Sequence, residues 1–141
     1  LTASSRRCRS ARRRQGQLNS IVRVLMSNAL AAKLDSALSE TSDVYVNTGV
    51  DEGEYFERLR KSIKEHQCAP YLVSATVMPP GFPDIETGAK IHGYCVAKDE
   101  ETGHWLVYSP KDDTFYCFWG TTENNLGAHG VFGSPLYCWS A

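Results

Sequence analysis

The chain lacks any run approaching the roughly 18–20 apolar residues that a membrane-spanning helix needs. Its longest apolar patch near the start, Ile21-Val22-Arg23-Val24-Leu25, is broken by Arg23. The same break removes the uninterrupted apolar segment of about 7–15 residues that a secretory signal places after its positive region. Close cysteine pairs are missing too: Cys8, Cys68, Cys95, Cys117 and Cys138 are odd in number, widely spaced and form no CxxC. That spacing argues against a disulfide framework or a structural zinc site. The expected setting is a reducing cytoplasm without membrane association, in which Cys95 and Cys117 act as small core residues. HxH, HExxH and nucleophile-elbow spacings are also absent, so no metal, no cofactor and no catalytic array is predicted.

What is present divides unevenly. The 141 residues are 42% hydrophobic and 22% charged, enough for one domain and too apolar to remain disordered. The formal charge of −1 conceals a polarised chain. Residues 1–25 hold seven Arg and no Asp, Glu or Lys, a net +7. Residues 26–141 set the remaining eight basic residues against all sixteen acidic ones, a net −8. The division read from this is a basic leader over 1–25 and a single domain over 26–141.

Three readings fit the leader. Clustered Arg attracts phosphate without needing a fold, but the segment has no aromatic residue for base stacking and one dense run, Arg12-Arg13-Arg14. An Arg- and Ser-rich, acid-free stretch also suits a targeting presequence. The third reading rests on Met26-Ser27-Asn28-Ala29, which has the form of a translation start, and on Gln17-Leu18-Asn19-Ser20-Ile21-Val22-Arg23 before it. DNA containing CTCAAC, a short spacer and GTTAGG can encode that stretch, and this resembles the end of an integron recombination site. GC-rich repeats upstream would translate as the Arg, Ala and Ser of residues 6–14. The chain thus resembles a bacterial integron mobile gene-cassette product with its native start at Met26. The resemblance implies mobility and a bacterial host, and it implies no particular activity. Nucleic-acid binding is expected only if residues 1–25 are native.

In the body, Leu30, Leu34, Ala37 and Leu38 mark one face of a helix. That helix begins near Ser20 if Leu18, Ile21, Val22 and Leu25 continue its stripe, and near Ser27 otherwise. A short strand is predicted over 44–48. Asp51 followed by Glu54 opens a second helix over about 52–66, with Tyr55, Phe56, Leu59 and Ile63 on one face. His66 follows as a partner for the helix dipole. Strands are predicted over 71–78, 90–97, 104–109 and 114–119, and a last one within 131–139. The expected fold is α+β, with two N-terminal helices packed on one face of a four- to five-stranded, mainly antiparallel sheet.

Neither face of that sheet alternates with polar residues. One face of the 104–119 hairpin holds His104, Leu106, Tyr108, Phe115, Cys117 and Trp119; the other holds Trp105, Val107, Tyr116 and Phe118. Two helices cover one side, and a bare second side would exceed the few hundred Å² of apolar patch usual on a monomer. A symmetric partner subunit, the C-terminal segment folding back, or a bound apolar ligand would each cover it. Gly103 leaves the register of 90–97 open, and a bulge there would exchange the faces of Tyr94 and Cys95.

The first functional expectation is therefore a non-enzymatic binding protein, homodimeric through its apolar sheet face and able to engage a protein partner. The alternative is a small-molecule-binding domain or minor enzyme with an aromatic-lined pocket of Tyr94, Trp105, Tyr116 and Phe118. There His92 or His104 would act as acid or base. His129 sits in the polar 119–130 loop, which suits a ligand or partner contact.

Overall fold

The computed structural model describes residues 2–141, with side chains from residue 14 onward. Helix α1 (Thr2–Ala37) runs without interruption through Met26. Of its described side chains only Leu30 and Leu34 are buried, joined by Leu38 just beyond its end. Helix α2 (Glu52–Glu65) starts where its cap predicts, with the Asp51 carboxylate accepting the Glu54 N–H at 2.9 Å. Ile63 is its fully buried anchor. No strand forms at 44–48. Tyr45 is 78% exposed, and the Val44 N–H bonds locally to the Thr41 carbonyl rather than to a neighbouring strand.

Four strands follow: β1 (Gln67–Val77), β2 (Lys90–Asp99), β3 (His104–Ser109) and β4 (Thr114–Trp119), each antiparallel to the next. Two short strands, β5 (Gly127–Ala128) and β6 (Phe132–Gly133), complete the sheet. Strand β6 lies within the stretch where a last strand was expected, and a third helix, α3 (Pro135–Ser140), occupies most of the remainder. Ser134 caps α3 by accepting the Tyr137 N–H, and Pro135 suits its first turn. The sheet thus has six strands, and three helices accompany it, against the four to five and two expected.

The sheet closes on itself. Strand β5 pairs in parallel with β1 through Thr76↔Gly127 and Val77↔Ala128, and it meets β4 at Trp119↔Gly127. Since β1 to β4 are already linked in sequence order, a ring of five strands results, and β6 pairs further along the same edge of β4 that β5 meets. Tight curvature brings β2 close to β3 at Gly93, where a Cβ would stand 2.6 Å from Val107 Cγ1 and 2.8 Å from the Tyr108 carbonyl oxygen.

Closure settles what covers the second face. Val73, Ala75, Val77, Ile91, Cys95, Trp105, Val107, Tyr116, Phe118 and Ala128 pack together inside the ring, with Leu126, Phe82 and Ile85 packed against them. Phe118 is completely buried there, worth about 1.5–3 kcal/mol by area. The outer face carries Leu106, Tyr108, Phe115 and Cys117 against Leu34, Ile63, Leu136 and Trp139 of the helical side. The hairpin faces read from alternation are therefore the two observed faces. A partner subunit, expected because one face would otherwise be bare, loses that ground, since the strand ring buries the face within one chain. The ladder irregularity lies between Cys95 and Ala97 of β2, leaving Cys95 inward and Tyr94 outward.

Candidate functional site

Small barrels of this size are filled by side chains, so a ligand site is sought at a mouth rather than inside. Such a mouth lies where β1 leaves the barrel and β2 enters it. Residues 78–89 connect them, rich in Pro and Gly and with a cis Pro79–Pro80 bond. The connection folds back over the barrel end: the Gly88 N–H bonds to the Val77 carbonyl and the Ala89 N–H to the Glu86 carbonyl. Between this loop and the strands is a cleft of about 500 Å³, within the usual size of small-molecule sites.

Its apolar wall is aromatic. Phe82 meets Tyr116 edge-on at 5.5 Å and Phe132 at 5.7 Å, and Tyr116 and Phe132 are 6.3 Å apart. Such a cluster offers ring faces and edges to a planar guest. Phe132 remains 44% exposed, so the wall is open to solvent on that side.

Polar groups occupy the rest of the rim: Asp84 from the loop, Lys90 and His92 from β2, Ser109 from the end of β3, and Lys111 and Asp112 from the β3–β4 turn. Asp112 is engaged, accepting the Tyr116 hydroxyl at 3.1 Å and the Ser109 hydroxyl at 3.3 Å. Burial first, and the charge of Asp112 second, push the Tyr116 hydroxyl up to about 12, which keeps it a donor. Lys90 Nζ donates to the Thr76 hydroxyl at 2.6 Å. Lys111 makes no ion pair among the described residues. The cleft therefore offers an aromatic wall beside two ammonium groups and an imidazole, with one of its two carboxylates already satisfied by hydroxyl donors.

The seven residues singled out from sequence are not one group. Tyr116 and His92 both line the cleft. Trp105 and Phe118 are sealed in the barrel, and the Trp105 indole N–H donates to the Gly120 carbonyl at 2.9 Å. Tyr94 faces outward and packs on the helical side. His104 also faces outward, stacked between Trp119 at 5.6 Å and Trp139 at 5.1 Å. Its Nε2–H donates to the Cys138 carbonyl at 3.1 Å. His129 is exposed at the loop, donating from Nδ1 to the Pro79 carbonyl at 3.2 Å and lying edge-on to Trp119.

Sequence reasoning missed Phe82, Ile85, Lys90, Lys111, Asp112 and Phe132. The run Pro79-Pro80-Gly81-Phe82-Pro83 reads as a strand terminator, and its phenylalanine, an apolar residue in a turn, is the signal that could have marked it as a cover. Among the described residues no cluster of His, Cys, Asp and Glu is suited to a metal ion. No described helix is long and apolar enough to cross a membrane. Comparison with protein-family models, with curated proteins and with solved structures finds no match for this chain.

Proposed function

We propose that this chain is a small-molecule-binding domain whose ligand is a planar, largely apolar molecule bearing an anionic group. The observation that carries this reading is the pairing, in one cleft, of the Phe82–Tyr116–Phe132 wall with Lys90, Lys111 and His92. A ring would lie against the wall, and its anionic substituent would face the ammonium groups at the rim. The reading treats residues 26–141 as the functional unit and residues 1–25 as a cassette leader. In keeping with it, no side chain between residues 14 and 29 is buried.

The test is thermal unfolding with a panel of aromatic carboxylates, their neutral amides and the matching amines. A carboxylate at about 100 times its Kd adds roughly 2.7 kcal/mol and raises Tm by roughly 5–10 °C. Phe132→Ala and Lys111→Ala should each remove the shift while leaving the ligand-free Tm close to that of the parent, whereas Phe82→Ala should also lower it, since Phe82 packs on the barrel core. A panel that leaves Tm unchanged at millimolar concentration, or one in which amines stabilise and carboxylates do not, overturns the reading.

A further inference from the structure

Two thiols meet where the β1–β2 ladder loses its register. Pairing runs from Gln67↔Ala97 to Tyr71↔Cys95, so β1 spends two more residues than β2 over that interval. Pro70 lies within it and has no N–H to give to a ladder. The extra length carries Cys68 over the barrel end, opposite the end that holds the cleft. Its Sγ stands 3.9 Å from Cys95 Sγ and 3.7 Å from the Cys95 carbonyl oxygen. Cys95 is fully buried inside the barrel, whereas Cys68 is half-buried and within reach of small solutes.

A cation accompanies the pair. The Lys98 ammonium lies 5.3 Å from the Trp105 ring centroid and 5.4 Å from that of Tyr71, with Nζ 3.3 Å from the Tyr71 oxygen. Glu100 at 3.3 Å and Glu123 at 3.9 Å hold it there. A hydrogen bond from the Cys95 thiol, opposed by burial and aided by the Lys98 charge, holds the Cys68 thiol below its ordinary 9.0. The same contact and burial push Cys95 up, so Cys68 is the thiol of the pair that ionises first.

We propose that Cys68 and Cys95 form a peroxide-responsive dithiol site, in which Cys68 is oxidised first and Cys95 resolves it to a disulfide. The Cys68 thiolate attacks one oxygen of a hydroperoxide; an S–O bond forms, the O–O bond breaks, and the departing oxygen leaves as water or alcohol after taking a proton from solvent. Cys68 is now a sulfenic acid, oxidised by two electrons, and the peroxide is reduced by the same two. Cys95 sulfur then attacks the Cys68 sulfur, and the hydroxyl group leaves with the Cys95 proton as water. Closing the bond needs the sulfurs to move from 3.9 Å to about 2.05 Å, a shift that the irregular 67–71 segment can take up without disturbing the paired strands. Thiol reductants reverse it by exchange.

The test treats the reduced full chain with stoichiometric hydrogen peroxide at neutral pH, then maps peptides after alkylation. The expected product lacks two hydrogens, contains a Cys68–Cys95 cross-linked peptide, and returns to the dithiol with a thiol reductant. Cys95→Ser should stop at a sulfenic acid that dimedone traps on Cys68. Lys98→Met should slow disulfide formation at neutral pH, because removing the ammonium charge lowers the supply of Cys68 thiolate. It should regain the parent rate as the pH rises past the ordinary thiol value of 9.0. The map of the parent chain decides even if a variant fails to fold. Oxidation of Cys68 no faster than of buried Cys117 and Cys138, or a disulfide joining any other pair, overturns the proposal.

Discussion

Two groups of imidazoles and aromatic rings lie on opposite faces of the β3–β4 hairpin. On the outer face His66, Trp139, His104, Trp119 and His129 follow one another at centroid separations from 5.1 to 5.7 Å. At the barrel mouth Phe82, Tyr116 and Phe132 meet at similar distances, with His92 on the same cleft. In the outer stack four of the five rings donate to an internal partner. His104 donates to the Cys138 carbonyl, the Trp139 indole to the Ser62 hydroxyl at 2.9 Å, and His66 Nδ1 to the Ser62 carbonyl at 2.8 Å. At the mouth His92 and Lys111 face open volume instead. The two groups are alike in residue type and differ in how far their donors are engaged: at the mouth Tyr116 and Lys90 donate to Asp112 and Thr76, while His92 and Lys111 have no partner among the described residues. A stack that spends its donors internally acts as packing, and one that keeps some free has something to offer a guest.

The largest effect that would sharpen this contrast is on stability. Trp139→Ala removes a side chain only 8% exposed that seals α3 and α2 against the sheet. The loss should be about 3–5 kcal/mol. Phe132→Ala, at a residue 44% exposed, should cost less than about 1 kcal/mol while removing the ligand-induced rise in Tm. Urea unfolding of both variants, with and without an aromatic carboxylate, measures each half. Equal stability losses would erase the distinction between packing and site.

Much of this division was legible in residue order. Alternation along 104–109 and 114–119 assigned each hairpin side chain to the face it occupies, because a long antiparallel pair leaves little freedom of register. The Asp51 cap and the spacing of Tyr55, Phe56, Leu59 and Ile63 marked α2 to within a residue. Closure was not legible. It depends on Gly127 and Ala128, two residues without periodicity, pairing in parallel with a strand some fifty positions earlier. With closure unseen, the inner face looked bare, and a partner subunit, the folded-back C-terminal segment or a bound ligand each stood as its cover. The cleft was half legible for a related reason: it gathers residues from four separated segments, and only His92 and Tyr116 stood out by type. Ser134-Pro135 was a readable helix start, outweighed by the β-rich composition of 131–139.

A smaller effect is the response of the outer stack to pH. Burial, which outweighs the hydrogen bond to Cys138 and the charge of Asp99, holds His104 below its ordinary 6.5. The unfolded chain therefore binds this proton before the folded one does. Stability should be full above about pH 6.5 and should fall as the pH drops from there towards the folded value, with no further loss from this group below it. His104→Gln should flatten that portion of a plot of unfolding free energy against pH. A slope that persists in His104→Gln would place the titration elsewhere.

The smallest expected effect concerns the helix that carries the basic residues. Beyond the body, α1 shows Leu18, Ile21, Val22 and Leu25 at 57 to 63% exposure, whereas Leu34 is fully buried and Leu30 is 7% exposed. Burial, and with it the free energy that docks α1, begins within a turn of Met26. Deleting residues 1–25 removes no buried side chain among those described and takes away a net charge of +7. The unfolding free energy should move by less than about 0.5 kcal/mol, while Leu34→Ala should cost about 2–5 kcal/mol. Ligand-induced stabilisation at the cleft should persist in the shortened chain, since none of the lining residues precedes Phe82. A loss near that of Leu34→Ala would instead show that the exposed stripe has a partner in solution. The +7 segment would then belong with the working parts of the molecule, and nucleic-acid affinity measured with and without it becomes the deciding comparison.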